Sequence, residues 1–192
     1  MLRTPRVIYA VAVLILILCF FFPLWSITLE APQYPEGIGL YIWIDKITGK
    51  NPHDLKNING LNHYIGMKEI NPQSIPELRI MPWIIGFFIV TGLIGFFRFS
   101  RKYLYVWLAL LVMVSVIGLT DFYLWEYDYG HELNPKAAIK IPGMSYQPPL
   151  IGSKQLLNMR TSSWPFVGGW AIVTTIGLTG LALFVNRKGD KD

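Results

Sequence analysis

Two short stretches carry side chains able to bind a metal ion or move a proton. In Leu61-Asn62-His63-Tyr64-Ile65-Gly66-Met67 an imidazole and a thioether stand four residues apart. On a helix that spacing puts both on one face, and the donor pair suits a soft ion such as Cu(I). Asn62 and Tyr64 flank the histidine and can orient it. The same residues also read as packing, with His63 bonded to a backbone carbonyl and Met67 filling an apolar seam. The second stretch is Asp121-Phe122-Tyr123-Leu124-Trp125-Glu126-Tyr127-Asp128-Tyr129-Gly130-His131-Glu132. At ~100° per residue, Asp121, Asp128 and Glu132 fall within ~40° of one another and His131 roughly 80° away. A polar face of this kind binds a metal, relays protons, or pairs with Arg79, Lys140 or Arg160 in a structural network. Gly130 makes the projection insecure for His131.

Met144 and Met159 add two more thioethers, whereas His53, beside Pro52, reads as an exposed turn residue. The candidate metal ligands are therefore His63, Met67, Asp121, Asp128, His131 and Met144, with copper the ion they suit. The one cysteine, Cys19, excludes an internal disulfide and reads as a small buried hydrophobe. The chain has no Cys-x-x-Cys, no haem-attachment motif, no phosphate-binding glycine loop and no Gly-x-Ser-x-Gly elbow, which argues against covalent haem and nucleotide-driven chemistry. Nor does any apolar run carry a histidine to ligate a haem between helices.

These stretches must be positioned by four apolar runs, about 7–27, 81–97, 103–125 and 166–185. Each approaches the ~20 residues a helix needs to cross a bilayer. The charges between them are sorted. Met1 to Arg6, Arg98 to Lys102 and Asn186 to Asp192 together carry +6, and the two long loops carry −1 of the net +5. The positive-inside rule then makes both termini cytoplasmic, and Trp25, Trp83, Trp125 and Trp164 mark the outer ends of the runs. The basic balance is explained by these flanks, so it implies the lipid bilayer as partner and no nucleic acid. The first run lacks a small-residue cleavage site and reads as a retained anchor.

The two loops, about 28–80 and 126–165, are too long for turns and too apolar for disorder. Ile38, Leu40, Ile42 and Ile44 alternate with Gly39, Tyr41, Trp43 and Asp45, the period of a strand, and Thr48 to Pro52 ends it with turn residues. Asp54 to Met67 predicts one or two short helices around Gly60. The third run is expected to continue outward and break at Gly130 or Pro135, leaving Ile141 to Pro149 extended or turning. Neither loop alone holds three soft-metal ligands, so a metal site requires the two to converge.

The long second-loop pattern, Asp121 to His131 followed by Asn134-Pro135, Ala137-Ala138-Ile139, Pro142 to Gly152 and Lys154 to Asn158, together with Ile58 to Met67, resembles a family of small multi-pass proteins found mainly in Bacteroidetes. The resemblance covers both loops and all four runs. It implies an association with the accessory genes of nitrous-oxide reductase, among copper-handling proteins, and places His63, Met67, His131 and Met144 in the family's characteristic segments. The expectation is an all-α membrane protein: a four-transmembrane-helix bundle in a bacterial inner membrane, with a periplasmic cap of short strands, helices and extended loops. Its expected role is an accessory one in copper handling or copper-enzyme maturation. A non-catalytic subunit that docks a periplasmic or membrane redox protein is the alternative, and a metal- or quinol-linked oxidoreductase subunit built on Asp121, Asp128 and His131 is a third.

Overall fold

The computed structural model describes residues 4–188. The ends of the basic flanks, Met1 to Arg3 and Gly189 to Asp192, and with them the placement of both termini, lie outside the described residues. Helix α1 (Thr4–Ile15) tightens into a 3-10 turn over Leu16–Phe20, and after Pro23 the chain enters strand β1 (Trp25–Ala31). Strands β2 (Tyr34–Ile42) and β3 (Ile47–Gly49) and helix α2 (Asp54–Ile65) follow. Helices α3 (Glu77–Phe97) and α4 (Arg101–His131) form a hairpin. Strands β4 (Gly152–Leu156) and β5 (Met159–Pro165) then lead directly into α5 (Val167–Lys188).

The helices pack round Tyr9, Val13, Leu16, Phe88, Leu104, Trp107 and Leu111. Helix α1 runs antiparallel to α5, with the Thr175 hydroxyl donating to the Ala12 carbonyl at 2.9 Å and the Cys19 thiol donating to the Gly168 carbonyl at 3.4 Å. Just beyond, Gly168 and Gly169 let the start of α5 lie against the backbone that links the 3-10 turn to β1. A Cβ on the first would stand 2.8 Å from the Phe22 carbonyl oxygen, and one on the second 2.4 Å from that of Leu24. At the far end the Arg6 guanidinium lies over the rings of Phe96 and Phe99, 6.0 and 5.4 Å from their centroids. The start of α1 and the α3–α4 turn therefore sit together at one end of the helices, and the sheet sits at the other.

All five strands join one antiparallel sheet in the order β3-β2-β1-β5-β4. Its central pair, β1 with β5, runs from Trp25 opposite Pro165 to Glu30 opposite Arg160, and so stitches the two loops into one body. Trp25, Ile27, Leu40 and Ile47 point inward against Leu78, Phe122, Trp125 and Tyr129, while Ser26, Thr28 and Glu30 lie on the opposite face. The indole of Trp25 donates to the Ser163 hydroxyl at 2.7 Å, which in turn donates to the Leu150 carbonyl at 3.1 Å.

The all-α, four-transmembrane-helix expectation is overturned. The fold mixes helices with a five-stranded sheet, and among the described residues three helices are long and apolar enough to cross a membrane: Glu77–Phe97, Arg101–His131 and Val167–Asn186. The N-terminal apolar helix, Thr4–Phe20, is shorter. Residues from Trp25 onward, which prolong the first apolar run, follow a period of two rather than 3.6 and find partners on both edges, so they leave the helix for the sheet. Trp25 and Trp125 accordingly belong to the core beneath the sheet, while Trp83 and Trp164 are exposed. The long helices leave Phe87, Val90, Val106, Val116, Ile117 and Val173 exposed, an apolar surface that water penalises and lipid does not.

Because the start of α5 lies against the Leu24 backbone with no room for an added atom, Gly169→Ala is expected to lower stability by about 1–3 kcal/mol. Gly177→Ala, in open space on the same helix, should not. Thermal unfolding of the two variants in detergent checks this.

Candidate functional site

The two outer segments converge, as a shared site requires. Gly66, with φ of 84°, ends α2 in the left-handed conformation, and its carbonyl accepts from Asn134 N–H at 2.8 Å. The Tyr64 carbonyl accepts from Ile139 N–H at 2.9 Å, and Gly130 from Tyr146 N–H at 2.9 Å. Lys68 pairs with Glu132 on the surface, where screening leaves such a pair little energy.

The convergence does not gather the expected ligands into one pocket. Helix α2 ends at Ile65, so Met67 lies beyond the helix and the four-residue spacing to His63 no longer places them on one face. His63 is exposed in an open depression with Lys56, Tyr64 and Glu69, whereas Met67 lines a different cavity on the inner side of the cap. His131 is exposed on the last turn of α4. Its ring stacks on Tyr127 with centroids 4.0 Å apart, and Nδ1 lies 3.0 Å from the Tyr127 carbonyl oxygen, which leaves Nε2 as the atom facing outward. Met144 is half-buried in the loop after Gly143 and lines neither cavity. Asp121 is exposed on α4 with Glu77 as its charged neighbour, and no ion pair joins it to Arg79, Lys140 or Arg160. Asp128 is exposed and, with Glu132, acts on Lys68. Among the described residues no three His, Cys, Asp or Glu side chains stand close enough to hold one metal ion. Helix α4 ends at His131, one residue past Gly130 and ahead of Pro135, where the break was expected. A Cβ at Gly130 would come within 2.4 Å of the Gln147 amide, so the glycine serves close packing of the following loop.

The enclosed chemistry lies elsewhere. Between the inner face of the sheet, α2 and the end of α4 is a cavity of about 90 Å³ whose walls are mostly apolar. Met67 reaches it from the first outer segment and Met159 from the second. Glu126 also lines it, 1% exposed, with neither carboxylate oxygen hydrogen-bonded. The Tyr146 hydroxyl and the Trp125 indole N–H, from two further lining residues, are likewise buried without a partner. Glu126 had a sequence signal. It falls among Phe122, Trp125 and Tyr129, the apolar face of the helix, and an acid there is out of pattern.

A second buried carboxylate is structural. Asp54 Oδ2 accepts from Gly39 N–H at 3.0 Å, from Asn51 N–H at 3.2 Å and from the Asn51 amide at 3.2 Å, which pins the start of α2 to β2. Comparison with known proteins adds no functional label: no protein-family model matches the chain, and no curated protein matches it.

His63→Ala and His131→Ala should each change stability by less than about 0.5 kcal/mol, as exposed substitutions do. Asp54→Ala should cost about 1–3 kcal/mol by stranding the Gly39 and Asn51 amides. Denaturant unfolding in detergent separates the two classes.

Proposed function

We propose that this chain is an accessory protein of a bacterial inner membrane whose cap lies in the periplasm and docks a partner during maturation of a copper enzyme such as nitrous-oxide reductase. The observation that carries the docking role is the cap itself: a single body formed from both outer segments, presenting exposed Tyr64 beside Ile139, one from each segment, with His63 next to them. Adjacent exposed apolar side chains on a rigid support favour protein contact. The copper connection rests on the resemblance of both outer segments to the family described above. The orientation rests on charge: Arg6, Arg98, Arg101 and Lys102 gather at the end opposite the sheet, and basic flanks stay cytoplasmic.

A second reading, direct copper binding, is favoured by one feature. Met67 and Met159 line the same cavity, so two thioethers from two segments are available to Cu(I) there. Under this reading Met67→Leu with Met159→Leu removes Cu(I) binding by the purified protein, while His63→Ala leaves it intact.

Cells lacking the chain are expected to make normal amounts of the periplasmic copper enzyme with much of its copper missing. Full copper content in such cells would refute the maturation role. In a Cys19→Ala background, a cysteine replacing Ser153 should react with a membrane-impermeant maleimide in intact spheroplasts, and one replacing Lys102 only after permeabilisation. The reverse pattern would put the cap in the cytoplasm.

A further inference from the structure

The lipid-facing stripe of α5 does not stop where the helix begins. Val173 and Trp170 are exposed on one side of α5, and Phe166, four residues before Trp170, continues the same line, its carbonyl accepting from the Trp170 N–H at 2.9 Å. The Phe166 ring lies 5.0 Å, centroid to centroid, from that of Tyr41, which stands on the outer face of the sheet. The apolar surface of the span therefore runs onto the sheet. Beyond that junction the outer face reads in rows, because residues opposed across antiparallel strands stand side by side. Thr48, Tyr41, Ser26 and Trp164 form the row next to the helices, with Trp164 half exposed. Thr28, Ser162 and Ser153 come next, and Glu30, Arg160 and Gln155 lie furthest out. The side chains thus pass from aromatic to hydroxyl to charged as the rows leave the spans. A face that meets water throughout has no cause for that order, and a face that rises out of a bilayer does.

Two lysines complete the aromatic row. The Lys46 ammonium lies over the Trp43 ring, 5.0 Å from its centroid, and the Lys50 ammonium lies 5.4 Å from the centroid of Tyr41. The Trp43 indole donates to the Thr48 hydroxyl at 3.0 Å and Lys50 donates to the Thr28 hydroxyl, so both pairs are held on the outer face. Asp45 is the exposed acid beside them, which leaves cations in excess at this surface. Trp and Tyr rings join an apolar body to a wet edge and favour the headgroup layer, while a lysine stem lies along apolar surface and its ammonium reaches phosphate. The dimensions agree. A headgroup layer is about 5–7 Å deep on each side of the hydrocarbon. Two strand residues rise about 7 Å, so the layer takes in the Tyr41 and Trp164 row, while Arg160 and Gln155, about 13 Å further along the strands, stand clear in water.

We propose that the membrane-proximal part of the sheet's outer face is a phospholipid-binding surface, with Tyr41, Trp43, Trp164 and Phe166 set in the headgroup layer and Lys46 and Lys50 paired with lipid phosphates. The surface goes beyond the docking role and rests only on the spans. It is independent of any protein partner and of which side of the membrane the cap occupies.

The test uses the full chain in a Cys19→Ala background, reconstituted in vesicles of phosphatidylglycerol and phosphatidylcholine. A nitroxide is attached to a single cysteine replacing Ser26, Gln155 or Val173, and its collisions with oxygen, which enters lipid, are compared with its collisions with a water-soluble nickel chelate. Ser26 lies between Tyr41 and Trp164, so its label should favour oxygen, as the Val173 label on the lipid side of α5 does. The Gln155 label should favour nickel. With Lys46→Gln and Lys50→Gln together, the Ser26 label should shift toward nickel while the Gln155 label stays as it was, because the ammoniums no longer hold the row to the phosphates. The proposal is overturned if the Ser26 and Gln155 labels respond alike in the absence of the lysine changes, or if those changes leave the Ser26 label unmoved. It is overturned equally if the Ser26 label shows spin–spin broadening that vanishes on dilution with unlabelled protein, which would put a second copy of the chain on this face. A Val173 label that meets nickel as readily as oxygen would remove the spans themselves, and the proposal with them.

Discussion

The antiparallel seam that begins as α1 against α5 and continues as β1 against β5 is the constraint on which the rest of the molecule depends. Both halves of the seam are consecutive in sequence, with only a few residues between Phe20 and Trp25 and between Pro165 and Val167. Backbone bonds carry the register across the junction, from Gly168 N–H to the Pro23 carbonyl at 2.8 Å and from Phe166 N–H to the Leu24 carbonyl at 2.9 Å. Because the helices and the central strands are parts of the same two chain segments, the sheet cannot turn relative to the bundle without breaking this ladder. The α3–α4 hairpin then has one place to go, and the end of α4 is carried under the sheet.

That placement creates the cap's core and its anomaly together. Phe122, Trp125 and Tyr129 fill the space against Trp25, Ile27 and Leu40, as any amphipathic helix end would against a sheet. Glu126, on the same face, is dragged in with them. Replacing an unpaired buried acid with a hydrocarbon generally stabilises a fold, so its presence sets stability against some other requirement at this position. Asp54 illustrates the contrast: a carboxylate nearly as buried, with its charge met by two backbone amides and a side-chain amide, has an evident structural purpose.

The three long helices were legible because composition alone decides them: about twenty apolar residues between basic flanks admit few other solutions. Strand β2 was legible from its alternation. Strands β1, β4 and β5 were not: β1 and β5 pair with each other across more than a hundred residues, and β4 is an edge strand of mostly polar residues, so local pattern records only part of what holds them. Yet Trp25, Ile27 and Leu29 do alternate with Ser26, Thr28 and Glu30, a period hidden by counting the stretch as the tail of an apolar run. The shared helical face expected for His63 and Met67 is lost at a single residue. Gly66 ends α2 one position before Met67, and the helical geometry assumed for the His63 and Met67 pair stops there. The convergence of the two outer segments was legible, because proline- and glycine-rich backbone needs a surface to lie on. Which side chains would meet there was not.

The central claim is that β1 and β5 are neighbours, and a cross-strand disulfide tests it most directly. Thr28 faces Ser162 in the register, and Ser162 faces Ser153 one strand further out. Directly opposed residues on antiparallel strands have Cα atoms about 4.5–5.5 Å apart, within disulfide range, whereas positions two strands apart are about 10 Å apart and out of range. In a Cys19→Ala background, cysteines replacing Thr28 and Ser162 should form an intramolecular disulfide readily under mild oxidation, and cysteines replacing Thr28 and Ser153 should stay reduced. Free thiols at Thr28 and Ser162 under conditions that oxidise the Thr28 and Ser153 pair, or no crosslink in either, would contradict the sheet order on which the cap and its cavity rest.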